Sequence, residues 1–336
     1  MAERDSFLKK KDIEISLQRY GIDALGAMAQ GLFSSLIVGL ILKVLGQKLG
    51  IQMLVDFGLA AMKMMGPAIG VAVAHGLKAP LLVLFPSVVT GMAGAELGGP
   101  AGAFVAVVIG AEMGKLVSKE TKLDIIITPA VTISAGITAA RFIGPGIDAF
   151  MKGLGQIIMR ATELHPVPMG MLVAVMMGMI LTLPISSAAL AIMLQLSGLA
   201  AGASTVGCSA QMIGFAVASF RENGWGGLFS QGLGTSMLQI PNIVRNPLIW
   251  LPPILTSAIL GPLSTTIFKM ENVPEGAGMG TSGLVGQFGT IEAMGTAAIP
   301  GILLLHFIAP AILTLIFSEL MRRVKLIKPG DMKLDI

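Results

Sequence analysis

The sequence is short of charge, of aromatic rings and of cysteine. Asp, Glu, Lys and Arg make up 12% of the 336 residues, about half of the roughly 25% usual in a soluble domain. The shortfall is concentrated: residues 1–20 hold nine of the 42 charges and residues 319–336 hold eight, leaving 25 for the 298 between. Such an interior cannot cover a water-facing surface, which excludes a soluble globular protein. Aromatics are only 5%, and the aromatic girdles and short alternating strands of a transmembrane β-barrel are missing. A single cysteine, Cys208, excludes an intramolecular disulfide and a Cys-based zinc site, and its setting between Gly207 and Ser209 fits a packed thiol. The three histidines, His75, His165 and His306, lie far apart in the chain. No Walker loop, strand-linked GxGxxG or HExxH helix occurs, so neither an ATP-driven pump nor a metalloprotease is expected, nor any metal or cofactor.

What is abundant is apolar and small. Hydrophobic residues reach 54% and glycine numbers 43. Long apolar runs occupy 32–42, 171–181 and 302–317, and Gly and Ala at this density let helix backbones approach closely in lipid. The reading is an all-α polytopic transmembrane protein. Apolar stretches fall at about 21–45, 51–75, 77–95, 99–118, 123–144, 146–161, 166–183, 185–202, 205–220, 247–268 and 296–321. A span needs ~20 apolar residues, so several are too short or too interrupted, and about eight to ten spans plus re-entrant hairpins and broken helices are expected. The layout is an amphipathic N-terminal segment (1–20) on the cytoplasmic face, a single transmembrane domain (21–321) and a basic tail (322–336). No cleavable signal peptide is expected. The net charge of +4 sits near membrane ends and points to lipid headgroups rather than nucleic acid. Basic clusters at residues 9–11, 115–122 and 322–328 predict that both termini are cytoplasmic.

Non-helical backbone survives at membrane depth only where it is buried in protein or lines a wet cavity, so breaks point to a site. Two breaks resemble each other: Thr128-Pro129 followed by Ser134, and Thr182-Leu183-Pro184 followed by Ser186 and Ser187. Each can present a half-helix N-terminus to a substrate; the alternative is a Pro kink whose hydroxyls bond back to the helix. The richest stretch is 241–287. It holds Asn242, Arg245 and Asn246 before an apolar span, then Glu271, Asn272, Glu275, and a Gly-rich run with Thr281, Ser282 and Gln287. Glycines allow close backbone approach, and neutral donors and acceptors suit a sugar or polyol. Thr128, Ser134, Thr182, Ser186, Ser187, Asn242, Asn246, Glu271, Asn272, Glu275, Thr281, Ser282 and Gln287 are therefore the candidate binding residues, with the ligand expected between the 182–187 break and the 279–287 hairpin. No catalytic residue is assigned.

These features resemble the membrane-embedded sugar-translocating subunit, IIC, of the bacterial phosphotransferase system. Gly98-Gly99-Pro100-Ala101-Gly102 and the 270–276 segment are similar to its fructose-type branch, although Leu183, Ser186 and Ser187 stand where that branch has Asp and Asn-Lys. The run from Asn246 to Trp250 and residues 276–287 resemble a stand-alone IIC-like subgroup that includes a clostridial perfringolysin regulatory protein. The resemblance implies a homodimer in the bacterial inner membrane, with a scaffold part and a mobile part. It also implies that any phosphate comes from a separate cytoplasmic IIB protein, since no segment here reads as a IIA or IIB domain. Two other functions stay open: a membrane sensor or regulator that kept the binding site, and a phosphorylation-independent, ion-coupled carrier. The carrier would need intramembrane carboxylates, for which Asp56, Glu96, Glu112 and Asp148 are the candidates.

Overall fold

A computed structural model describes residues 7–334 and is helical; among these residues the β contact is an isolated antiparallel bridge between Gly198 and Asn272. The chain forms two compact units, Met1–Phe150 and Met151–Ile336.

The first unit contains α1 (Gln18–Gln47), α2 (Gln52–Lys63), α3 (Met65–Gly76), α4 (Ser87–Val117) and the first part of α5 (Asp124–Thr162). Its helices touch through glycine. A Cβ on Gly58 would stand 2.4 Å from the Gly39 carbonyl, and one on Gly91 would stand 2.3 Å from that of Gly66. α4 is a hairpin rather than a rod. The chain reverses at Gly98 and at Gly99 (φ 60, ψ −151), and a Cβ on Gly94 would lie 2.8 Å from that of Ala106. In a straight helix those positions are about 18 Å apart. The gap between the apolar stretches 77–95 and 99–118 marks this turn.

Among the described residues, six helices are long and apolar enough to cross a membrane, or seven if the bent pair Gln52–Lys63 and Met65–Gly76 forms one span. The apolar Pro166–Thr182 falls just short of that test, and α4 passes it as one element despite its fold. These two account for the larger count suggested by the sequence.

Two local expectations are corrected. Residues 1–6 lie outside the described residues, and in the rest of the N-terminal segment residues 7–10 form one helical turn, followed by a turn and non-helical chain up to residue 16. It is tied down by ions instead of lying as an amphipathic helix: Lys11 Nζ pairs with Glu120 and donates to the Ser118 carbonyl. The Thr128-Pro129 motif does not break its helix, since α5 runs through it. Pro129 lies early in α5, and Thr132 Oγ1 donates to the Thr128 carbonyl at 2.8 Å, the hydroxyl bonding back to the helix that the alternative reading expects.

The second unit contains α6 (Pro166–Thr182), α7 (Ser187–Met193), α8 (Gly198–Ala218), α9 (Phe220–Phe229), α10 (Ile240–Arg245), α11 (Leu251–Thr266), α12 (Pro274–Ala277), α13 (Val285–Met294) and α14 (Ala309–Arg323). Nearly all of α8 is buried, and α6, α11 and α14 pack around it. It contains no charged residue, and its small side chains let neighbours touch its backbone. A Cβ on Gly207 would lie 1.9 Å from the Ala174 carbonyl of α6. After α8 the chain turns at Gly224 (φ 58) and returns, so that Gly232 lies beside Ala216 and Ile213 of α8.

Candidate functional site

Three interruptions of helical backbone converge on the middle of α8. The first follows α6. Leu183 is extended (ψ 163), as the residue before a proline must be. It leaves Thr182 Oγ1 2.8 Å from Ser236 Oγ and 3.4 Å from Gln211 Oε1. Ser186 is half-buried and its carbonyl accepts the Leu190 N–H at 3.1 Å; Ser187 Oγ donates to the Gly278 carbonyl at 2.6 Å.

The second interruption is Thr235, extended at φ −158 and ψ 142, whose hydroxyl caps the next turn by accepting from Met237 N at 3.2 Å. The third spans residues 276–284, where Gly280 and Gly283 take φ +53 and Leu284 takes φ +60. Positive φ is readily adopted by glycine, and at Gly280 space demands it too: a Cβ would lie 2.7 Å from the Cys208 carbonyl carbon.

Hydroxyls and one amide stitch this last segment to α8. Ser204 Oγ donates to the Ala277 carbonyl. Asn272 Nδ2 donates to Thr205 Oγ1 at 2.6 Å and to the Gly286 carbonyl at 2.9 Å. Thr281 Oγ1 donates to the Gly232 carbonyl and lies 3.5 Å from Met212 Sδ. Thus Ser204, Thr205, Cys208, Gln211 and Met212, two turns of one helix, receive the first and third breaks, and the second joins them through the Ser236–Thr182 contact. α8 is about 31 Å long, close to the hydrocarbon thickness of a bilayer, and Cys208 lies at its centre.

The polar groups gathered here are neutral, and several buried atoms have no hydrogen-bond partner among the described residues: Gln211 Nε2, Ser282 Oγ, Gln287 Oε1 and His306 Nε2. Gln287 Nε2 lies 3.0 Å from His306 Nδ1, and His306 sits in a π-helical stretch, Leu303–Ile308, a distortion often found at functional positions.

Other candidates go elsewhere. Glu271 and Glu275 are exposed, while Asn272 between them is buried. Asn242 and Asn246 bind the C-terminal segment: their Nδ2 atoms donate to the Lys333 carbonyl and to Asp331 Oδ2, both at 2.8 Å. Thr128 and Ser134 belong to the first unit. There Thr128 Oγ1 donates to Asp124 Oδ1 at 2.6 Å and Ser134 is exposed. Sequence reasoning missed Ser204, Thr205, Gln211, Ser236 and His306. A signal existed for the first three, because Ser204 and Gln211 are seven residues apart, two helical turns on one face.

Fold and site together define a polytopic helical membrane protein whose broken segments meet around neutral hydrogen-bonding side chains. The chain belongs to the family described as phosphotransferase system, EIIC, which matches residues 22–334. Membership makes it a sugar-transporting membrane protein of the IIC type. No curated protein and no solved structure matches the chain.

Proposed function

We propose that the protein binds a sugar or polyol where the three breaks meet α8 and passes it to a separate IIB protein for phosphorylation. The carrying observation is the set of buried, unpartnered neutral atoms on Gln211 and Ser282 beside the Thr182–Ser236 and Thr281–Gly232 contacts. Buried polar atoms are nearly always hydrogen-bonded in native proteins, and solute hydroxyls both donate and accept. Thr182, Ser187, Thr281 and Ser282 are the side chains expected to line this position, with Gln287 and His306 forming a second polar contact.

A phosphorylation-independent carrier is less well supported, since Asp56 and Glu96 are exposed and Glu112 is paired with Lys115 at 3.2 Å. The reading includes the bacterial inner membrane with both termini cytoplasmic, which the basic clusters at each end support. A homodimer is expected from the family, with an interface other than the Gly31, Gly39 and Gly46 stripe, which packs within its own unit.

The test is uptake of labelled hexoses and hexitols into vesicles, with and without a IIB protein and its phosphate donors. Donor-dependent uptake that falls roughly ten- to hundredfold in Ser282→Ala, the loss of about 1–3 kcal/mol for one buried hydrogen bond, supports the reading. Uptake without donors marks a carrier, and binding without uptake marks a sensor.

A further inference from the structure

The last described stretch, residues 326–334, is threaded through a polar cleft of the second unit. Glu222 accepts the backbone N–H groups of Gly330 at 3.1 Å and Met332 at 2.9 Å, and pairs with Arg322 at 3.1 Å. Asn223 accepts the Leu334 N–H at 2.8 Å and donates to the Met332 carbonyl at 2.9 Å. Gln239 Nε2 reaches the same carbonyl at 3.0 Å. Ile327 and Met332 are fully buried with Phe215, Ile243 and Ile249. Backbone read by side chains, with two apolar anchors, is a specific docking rather than a loose tail.

The cleft continues inward as a chain of amides. Asn242 Nδ2 donates to Gln239 Oε1 at 2.8 Å, Gln239 Nε2 donates to Gln231 Oε1 at 2.8 Å, and Gln231 Nε2 donates to Ser219 Oγ at 2.9 Å. All four side chains are buried. Gln231 adjoins Gly232, whose carbonyl accepts from Thr281, and the same short segment ends at Ser236, which meets Thr182. One stretch, residues 231–236, therefore faces the tail-bound amides on one side and two of the three breaks on the other.

We propose that the C-terminal segment is a latch: its docking fixes residues 231–236, and its release loosens the Thr182–Ser236 and Thr281–Gly232 contacts. A buried amide that loses a partner carries the full cost of that lost bond, so undocking propagates along Asn242, Gln239 and Gln231. By linkage, anything that reorganises the breaks must alter tail docking to the same degree. This coupling holds whatever occupies the position where the breaks meet.

The test is hydrogen exchange on the purified chain in detergent. It compares the natural protein, a chain ending at Lys325, and the full-length Met332→Asp variant, which puts a charge where an apolar anchor sits. The backbone N–H groups of Thr235, Ser282 and Leu284, bonded to Ser230, Met279 and Thr281, should exchange at least roughly tenfold faster in both variants. Amides in the middle of α11 should keep their protection. A synthetic peptide of residues 326–336 should restore slow exchange to the shortened chain. Faster exchange confined to residues 222–223 and to the tail, with Thr235, Ser282 and Leu284 unchanged, would overturn the proposal. Should the shortened chain lose protection in α11 as well, Met332→Asp decides, because the body of the protein is then untouched.

Discussion

The two units bury polarity in opposite ways. In the first, buried charges are held by backbone carbonyls and by opposite charges. Lys115, 2% exposed, donates to the carbonyls of Asp12 at 2.6 Å and Leu77 at 3.1 Å and pairs with Glu112 at 3.2 Å. Arg19 reaches the same Leu77 carbonyl at 2.8 Å and the Asp12 carboxylate at 2.7 Å. Leu77 closes α3, where the negative end of the helix dipole adds to the attraction for both cations. The second unit instead gathers neutral hydroxyls and amides at its breaks, and some of their atoms have no partner. A buried charge is costly to strand and so stays paired, whereas a neutral amide can exchange a protein partner for a solute hydroxyl at small net cost. Intramembrane charge is a common pointer to function, yet here the charges act as a clamp and the neutral cluster is the proposed recognition site.

The sharpest way to break that contrast is Lys115→Met. It removes one partner of a buried pair, which typically costs about 3–5 kcal/mol, and leaves the Asp12 and Leu77 carbonyls with Arg19 as their side-chain donor. We expect little folded protein by size-exclusion chromatography, with partial recovery when Glu112→Gln is added. Normal yield and thermal stability of the single variant would mean that the clamp is dispensable.

Second in size is Gly207→Ala. The added methyl would stand 1.9 Å from the Ala174 carbonyl, where only backbone can yield, so α6 and α8 must separate. Overpacking of this kind costs about 1–3 kcal/mol. A lowered melting temperature in detergent is expected, together with impaired solute uptake because α6 carries Thr182. An unchanged melting temperature would show that the two helices already have slack.

Gln211→Leu sharpens the comparison from the other side. It deprives Trp250 Nε1 of an acceptor at 2.9 Å but also removes the unpartnered Nε2. Loss and gain oppose each other, so stability should change by about 1 kcal/mol or less. Sugar binding measured by calorimetry should nevertheless weaken severalfold or more. A large fall in stability with unaltered binding would reassign Gln211 to the structural class.

How far the sequence could be read follows from these same residues. The 182–187 break is legible because Pro184 has no N–H and constrains Leu183, and the 276–284 segment because glycine density announces unusual backbone. Composition and apolar runs sufficed for the helical membrane fold. Thr128-Pro129 carries nearly the same local signal as the 182–187 break, yet its helix continues. Whether a proline ends a helix depends on neighbours that the motif does not contain. Gln211 sits in an apolar small-residue run with no proline to mark it, and its partners Thr182 and Trp250 are distant in the chain. Asn242 and Asn246 were visible as polar residues beside a span, but their partner is the C-terminal segment some 85 residues on, a pairing only tertiary structure supplies.

The smallest effect expected lies in the exposed ions of the first unit and separates surface charge from the buried clamp. Lys11 bonds to Glu120 and Lys10 stands 3.9 Å from it; the hydrogen bond from Lys11 holds the Glu120 carboxyl below its usual value of 4.5. A carboxylate with a depressed folded value stabilises the fold fully above its unfolded value, and that contribution disappears as pH falls through the lower, folded one. The N-terminal strap should therefore be held equally well from neutral pH down to about 5 and loosen only below about 4.5. Because Glu120 is at the surface, the gain is small and screened by salt. A dye on Phe7→Cys, read by fluorescence anisotropy, should show a modest fall in anisotropy below that pH, weaker at 0.5 M salt and absent in Glu120→Gln. An identical pH profile in Glu120→Gln would mean that the strap is held by Arg19 and Lys115 alone, and that the surface pair adds nothing to the clamp beneath it.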